Sequence, residues 1–217
     1  MGTVTNIKLI AGAMAVLAVV TAISNETKAA LIAPGGGPDP TTGTGTYGTT
    51  LVYDTGPQAY LGLSGFFHGF LDAQVWQEAG GTYDFVYQAT NDANSADAVN
   101  RITFSNFTNF LTNVDDSATG VFGPGTVFPT SYDRSADGST VGFNYTSPLT
   151  PGAISWVMVV DTNATAFIPT GGIASFSDGD VAVVLVPTPA VVPEPATAAI
   201  AAVGLVLSAI RPSRKRR

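Results

Sequence analysis

The chain has 217 residues, no cysteine, and 16 acidic against 9 basic residues, a formal net charge of −7. Absence of cysteine excludes thiol catalysis, zinc–cysteine sites and a disulfide scaffold, so any core is held by packing alone. The basic residues gather at the two ends: residues 31–191 hold 14 acidic side chains against only Arg101 and Arg134, a formal charge of −12. That excludes nucleic-acid binding through phosphate contacts, which needs Lys and Arg. It favours solubility and attracts cations.

Lys8, the apolar run Leu9–Ile23 and the polar stretch Ser24–Ala30 follow the pattern of a secretory signal peptide. Residues 1–29 are therefore predicted to form a signal helix cut after Ala29 or Ala30. Residues 30–48, with Pro34-Gly35-Gly36-Gly37-Pro38-Asp39-Pro40 and a Thr/Gly-rich continuation, are predicted to be a flexible lead-in.

From Leu51 short apolar and aromatic runs recur between Gly, Asn, Asp and Pro, and no stretch shows a sustained helical period. Tyr83, Phe85 and Tyr87 alternate with Asp84, Val86 and Gln88; Val141, Phe143 and Tyr145 alternate with Gly142, Asn144 and Thr146. Period two places each set on one sheet face. Ile154–Val160 is apolar on both faces and is placed centrally, with Trp156 in the core. Val181–Val186 reads as the final strand, and Arg101–Thr112 as another with a bulge or turn near Asn106. Tyr60–Phe67 and Leu71–Glu78 are expected to pair. Turns are expected at Ala79-Gly80-Gly81, Ala136-Asp137-Gly138 and Ser177-Asp178-Gly179. Eight or nine short strands predict an all-β ectodomain over residues 49–187, a β-sandwich of jelly-roll or Ig-like type.

Few residues in this body point to chemistry. His68 is the only histidine; Ser64 and Asp72, four residues to either side, would lie about 13 Å away along a strand, too far for a triad. Asp72, Glu78 and Asp84 supply carboxylates for a surface glycoside hydrolase if two of them face each other across a cleft. Asn91, Asp92 and Asp97, with Asp178 and Asp180, offer oxygen ligands and form the candidate calcium site, although neither segment matches an EF-hand loop. Trp76 is the candidate carbohydrate contact.

Four prolines in Pro187–Pro195 suggest an extended spacer, set at residues 188–195. Ala196–Ile210 is uncharged and reads as a short transmembrane helix of about 22 Å, against about 30 Å of hydrocarbon. Arg211, Arg214, Lys215, Arg216 and Arg217 form a basic tail over residues 211–217 that is expected to stay cytoplasmic.

Val192-Pro193-Glu194-Pro195, the short apolar run and the terminal basic cluster, in that order, resemble the PEP-CTERM sorting signal, whose core here is Pro193-Glu194-Pro195. The resemblance implies recognition by exosortase, a membrane protease-transferase, and delivery to the surface or matrix of an exopolysaccharide-producing bacterium. The body, through Phe85–Asn91, Asp133–Phe143, Asp161–Thr165 and Asp178-Gly179, resembles an extracellular domain recurrent in such proteins, a likeness that implies no activity. The expectation is an exported, non-enzymatic surface or matrix protein with exosortase as partner and no cofactor beyond candidate calcium. The alternative is a secreted polysaccharide-binding module, with a glycoside hydrolase below it.

Overall fold

A computed structural model describes residues 31–178 and 180–192; the signal segment, the sorting motif, the apolar run and the basic tail lie outside the described residues. Among the described residues there is no helix. The strands in chain order are β1 (Asp39–Pro40), β2 (Thr50–Asp54), β3 (Gln58–Leu61), β4 (His68–Gln77), β5 (Tyr83–Asn91), β6 (Val99–Ser105), β7 (Thr112–Ser117), β8 (Ser131–Arg134), β9 (Thr140–Leu149), β10 (Val157–Thr162), β11 (Ala166–Ser177) and β12 (Val181–Ala190). They form two antiparallel sheets. One runs β2-β4-β5-β10-β7, with β3 also on β4; the other runs β1-β8-β9-β6-β11-β12.

The alternation read in the sequence explains why the sheets pack. Phe85, Tyr87 and Ala89 of β5 and Met158 and Val160 of β10 join Ile102 and Phe104 of β6, Val141, Phe143 and Tyr145 of β9, and Ala174 and Phe176 of β11 in one apolar cluster. Tyr87 stacks on Phe104 with ring centroids 3.8 Å apart, and its hydroxyl donates to the Pro187 carbonyl at 3.1 Å. Tyr60 stacks on Phe176 at 4.0 Å. Side chains of both sheets thus share one core, an arrangement consistent with a β-sandwich.

Several expectations shift in detail. The central strand begins at Val157, not Ile154, and sits between β5 and β7. Trp156 therefore precedes the strand and is only half-buried, outside the core cluster. Tyr60–Phe67 does not pair with Leu71–Glu78: β3 lies against His68–Leu71 at the start of β4, and Gln74–Gln77 pairs with β2. β7 and β11 have no clear signal. β7 reads Thr-Asn-Val-Asp-Asp-Ser, and its two adjacent aspartates look like a turn. In β11, Pro169 to Gly172 interrupts the run, and the register with β12 shifts between Ile168 and Gly172.

The lead-in is a correction. It is not a flexible leader but an ordered part of the domain from Leu31 onward. Ile32 is 1% exposed and belongs to the core cluster, and its amide donates to the Thr112 carbonyl at 2.9 Å. Leu31 bridges Asn113 and Thr44 bridges Ser117, so the segment runs along β7, the outer strand of its sheet. Its glycines serve close approach: a Cβ on Gly45 would lie 2.9 Å from the Asp116 carbonyl oxygen, and one on Gly48 would collide with the Gln77 carbonyl.

The spacer is corrected likewise. Pro187, Thr188, Pro189 and Ala190 belong to β12, with Phe167 opposite Pro189 and Ile168 opposite Thr188. β12 is an edge strand, where prolines that lack an N–H are tolerated. The domain therefore spans residues 31–190 rather than 49–187, and residues 188–190 leave the spacer.

Ile32→Ala in the full chain should lower unfolding free energy by about 2–5 kcal/mol in a denaturant titration, as for a core residue. A value near zero would return this segment to the role of a loose leader.

Candidate functional site

The acidic site follows from register. Residues paired across neighbouring strands share a face. Trp76 of β4 lies opposite Asp84 of β5, Asp84 opposite Asp161 of β10, and Asp161 opposite Asn113 of β7. These four side chains form a row on the face turned away from the main core. Glu78, just past β4, closes the row at the turn to β5, where its amide donates to the Thr82 carbonyl at 3.0 Å and the Thr82 hydroxyl donates to Glu78 Oε2 at 2.7 Å. One carboxylate oxygen from each of Glu78, Asp84 and Asp161 lies within 4.8 Å of the others.

Asp84 is fully buried. Its Oδ2 accepts the Gly48 amide at 2.6 Å, while its Oδ1 has no hydrogen-bond partner. Burial, with the neighbouring Asp161 and Glu78 carboxylates, pushes its pKa up to about 8 against the opposing pull of the Gly48 amide. Asn113 Nδ2 donates to Asp161 Oδ2 at 2.9 Å. Asp161 also lines an open cavity of about 330 Å³ with Leu31, Thr82, Leu111, Asn113 and Asn163.

A second acidic pair sits on β7. The Thr42 amide donates to Asp115 Oδ1 at 2.8 Å, the Thr42 hydroxyl donates to Asp115 Oδ2, and the Gly43 amide donates to Asp116 Oδ1 at 2.9 Å. Asp116 is fully buried, its Oδ2 has no hydrogen-bond partner, and burial raises its pKa to about 7. Beside it, Trp156 and the half-exposed Phe128 pack with centroids 5.2 Å apart. Thr41, Thr42, Gly43, Asp116, Phe128 and Trp156 line a cavity of about 250 Å³.

The residues singled out from sequence scatter. Trp76 is half-buried: it packs on Tyr47 at 5.4 Å, joins a small apolar cluster with Val86, Val157 and Val159, and donates from Nε1 to Gln74 Oε1 at 2.9 Å. Asn91 Nδ2 ties the Asp97 and Leu149 carbonyls at 2.9 and 2.8 Å. Asp92 Oδ2 meets His68 Nδ1 at 3.0 Å. Asp180 accepts the Ser64 and Val181 amides. Of the five candidate calcium ligands, Asp97 and Asp178 carry carboxylates that come within hydrogen-bond range of each other, with Asn100 donating to Asp178. Ser95 joins His68 and Asp92, but its hydroxyl bonds the His68 backbone rather than the ring, so no triad forms. Asp72 stands apart from Glu78 and Asp84, with Asp54 as its charged neighbour.

Asp161, Asp115, Asp116 and Phe128 escaped the sequence reading. Parity put Asp84 on the face opposite Phe85, but which strand lies beside it depends on long-range register. Ionised carboxylates this close repel one another, and a proton or a cation among them relieves that repulsion. No family model matches the chain, and neither a curated protein nor a solved structure matches it.

Asp84 and Asp116 have folded pKa values of about 8 and about 7, above the ordinary 3.8, so the folded chain binds more protons than the unfolded one between these values. Their contribution to stability is complete below pH 3.8 and is lost as pH rises through 7 and 8. The melting midpoint in chelator should therefore fall from pH 4 to pH 8. Asp84→Asn should flatten the upper part of that slope; an unaltered slope would place the titrating group elsewhere.

Proposed function

We propose that this is an exported, non-enzymatic protein of a bacterial surface or exopolysaccharide matrix, sorted and processed by exosortase through its C-terminal signal. The observation that carries the reading is the ordered triplet of Pro193-Glu194-Pro195, the uncharged Ala196–Ile210 and the basic residues Arg211 to Arg217. The apolar run is short for a permanent anchor, and the basic cluster fixes its orientation, which suits a temporary hold. The signal peptide over residues 1–29 supplies the entry to that route.

The all-β domain fits the cargo of such a route. We read its two sheets as a jelly-roll type rather than an Ig-like sandwich, because the chain passes from one sheet to the other between β1 and β2, β5 and β6, β6 and β7, β7 and β8, β9 and β10, and β10 and β11.

One observation favours polysaccharide binding as the second reading and moves it from Trp76 to Trp156. Trp76 is covered by Tyr47, while Trp156 and Phe128 line an open cavity beside Asp116 and the Thr41 and Thr42 hydroxyls. An aromatic wall with a few polar groups is the usual make-up of a small-ligand site.

In an exopolysaccharide-producing host, replacing Pro193, Glu194 and Pro195 with Ala should cause a larger, membrane-bound form to accumulate, seen by fractionation and immunoblot. Normal processing and release of that variant would defeat the sorting reading. For the second reading, a glycan array should lose signal with Trp156→Ala and Phe128→Ala and keep it with Trp76→Ala; no signal from the parent chain removes the binding module.

A further inference from the structure

We propose that Glu78, Asp84 and Asp161 form a binding site for a hard divalent cation of the calcium class, and that the ion fastens the lead-in to the sheet. Oxygens bound to one calcium at about 2.3–2.6 Å stand no more than about 5 Å apart, and these three lie within 4.8 Å. Three carboxylates give an all-oxygen donor set, which selects calcium or magnesium over softer metals.

The fully buried Asp84 carries the proposal beyond a cluster of acids. Its Oδ2 is occupied by the Gly48 amide, and its Oδ1 has no donor although it is shut off from solvent. An orphaned carboxylate oxygen of this kind costs on the order of 1–3 kcal/mol or more when nothing compensates it. The Asp84 carboxyl lies within hydrogen-bond reach of Asp161 and close to Glu78, and a cation among the three supplies a partner for the buried oxygen. The Thr82 hydroxyl on Glu78 and the Asn113 amide on Asp161 orient two of the ligands from outside, as supporting groups do around protein-bound metals. The cavity along Asp161, Thr82 and Asn113 gives an entry path and room for the waters that complete a calcium shell.

The site would act through Gly48. That amide reaches the same carboxylate that binds the ion, and Gly48 follows Tyr47, which covers Trp76. Filling the site therefore holds Asp84 ionised and in place as acceptor for the lead-in. The ion ties three separate places in the chain: the β4–β5 turn, β5 itself and β10.

The test uses the full chain purified in detergent at pH 8, stripped with chelator and then titrated with calcium chloride. Saturation should raise the melting midpoint by roughly 5–10 °C at about 100-fold over the dissociation constant. Calorimetry should give one ion per chain. Glu78→Gln, which leaves the Asp84–Gly48 bond intact, should weaken binding at least tenfold, as should Asp161→Asn. The double variant Asp97→Asn, Asp178→Asn separates this site from the other acidic pair and should keep the full response. No calcium-dependent shift at millimolar calcium, or a shift that persists in Glu78→Gln and vanishes in the Asp97/Asp178 double variant, overturns the proposal.

Discussion

The domain depends on buried carboxylates that accept backbone amides from a segment remote in sequence. Asp84 takes Gly48, Asp115 takes Thr42 and Asp116 takes Gly43, at 2.6, 2.8 and 2.9 Å. Each such bond contributes about 0.5–1.5 kcal/mol to a neutral carboxyl and about 1.5–3 kcal/mol once the carboxyl is ionised. They bind the lead-in across two strands of one sheet. The cost is desolvation of the acids, visible in the raised pKa of Asp84 and Asp116. The lead-in also lines the open side of β7, whose exposed N–H and C=O groups would otherwise invite pairing with another chain.

Arg134 is the counterpart of opposite sign. It is 5% exposed, and it donates to the carbonyls of Gly138, Ile32, Phe107 and Phe110 at 2.8–3.1 Å. The planar guanidinium has five donors, and four carbonyls converging on it fix three separate loops at once. One of them again belongs to the lead-in. The other basic side chain of the body, Arg101, is engaged with Asp133 at 2.5 and 2.7 Å and with Asn144. The segment that carries Ile32 is thus held from its carbonyl side by an arginine and from its amide side by aspartates. At the far end β12 absorbs Pro187 to Ala190, so only Val191 to Pro195 separate the domain from the apolar run, a reach of about 17 Å when fully extended.

What the sequence revealed and what it hid follow one physical distinction. Period-two runs such as Tyr83–Gln88 and Val141–Thr146 show their faces locally, because alternation is a property of neighbouring residues. The all-β class and the core aromatics came from such signals, and the turn at Asp137-Gly138 from its own turn residues, which are equally local. The lead-in did not. Gly and Thr predict looseness when only the segment's own composition is weighed, and here its partners are Thr112, Asp115 and Asp116, some 70 residues away. β7 was hidden for the same reason: two consecutive aspartates look like a turn unless the amides that satisfy them are known. The acidic row needed Asp84 and Asp161 to be adjacent, and a period-two pattern fixes the face of each residue without fixing its neighbour across the sheet.

The charge balance itself changes meaning once the residues are placed. Fourteen acids against two arginines read first as a solvated surface. Yet Asp84, Asp115, Asp116 and Asp161 are 0%, 2%, 0% and 6% exposed, so part of that charge lies inside the protein. Buried acids are costly unless hydrogen-bonded or neutralised, and in this chain the means of neutralisation are few: backbone amides, a proton, or an ion from solution. The backbone supplies the first at Gly48, Thr42 and Gly43. The second and third come from the medium. Buried acids whose charge is left to the medium make stability depend partly on the pH and ions of the compartment, and their burial makes that dependence a property of the fold rather than of its surface.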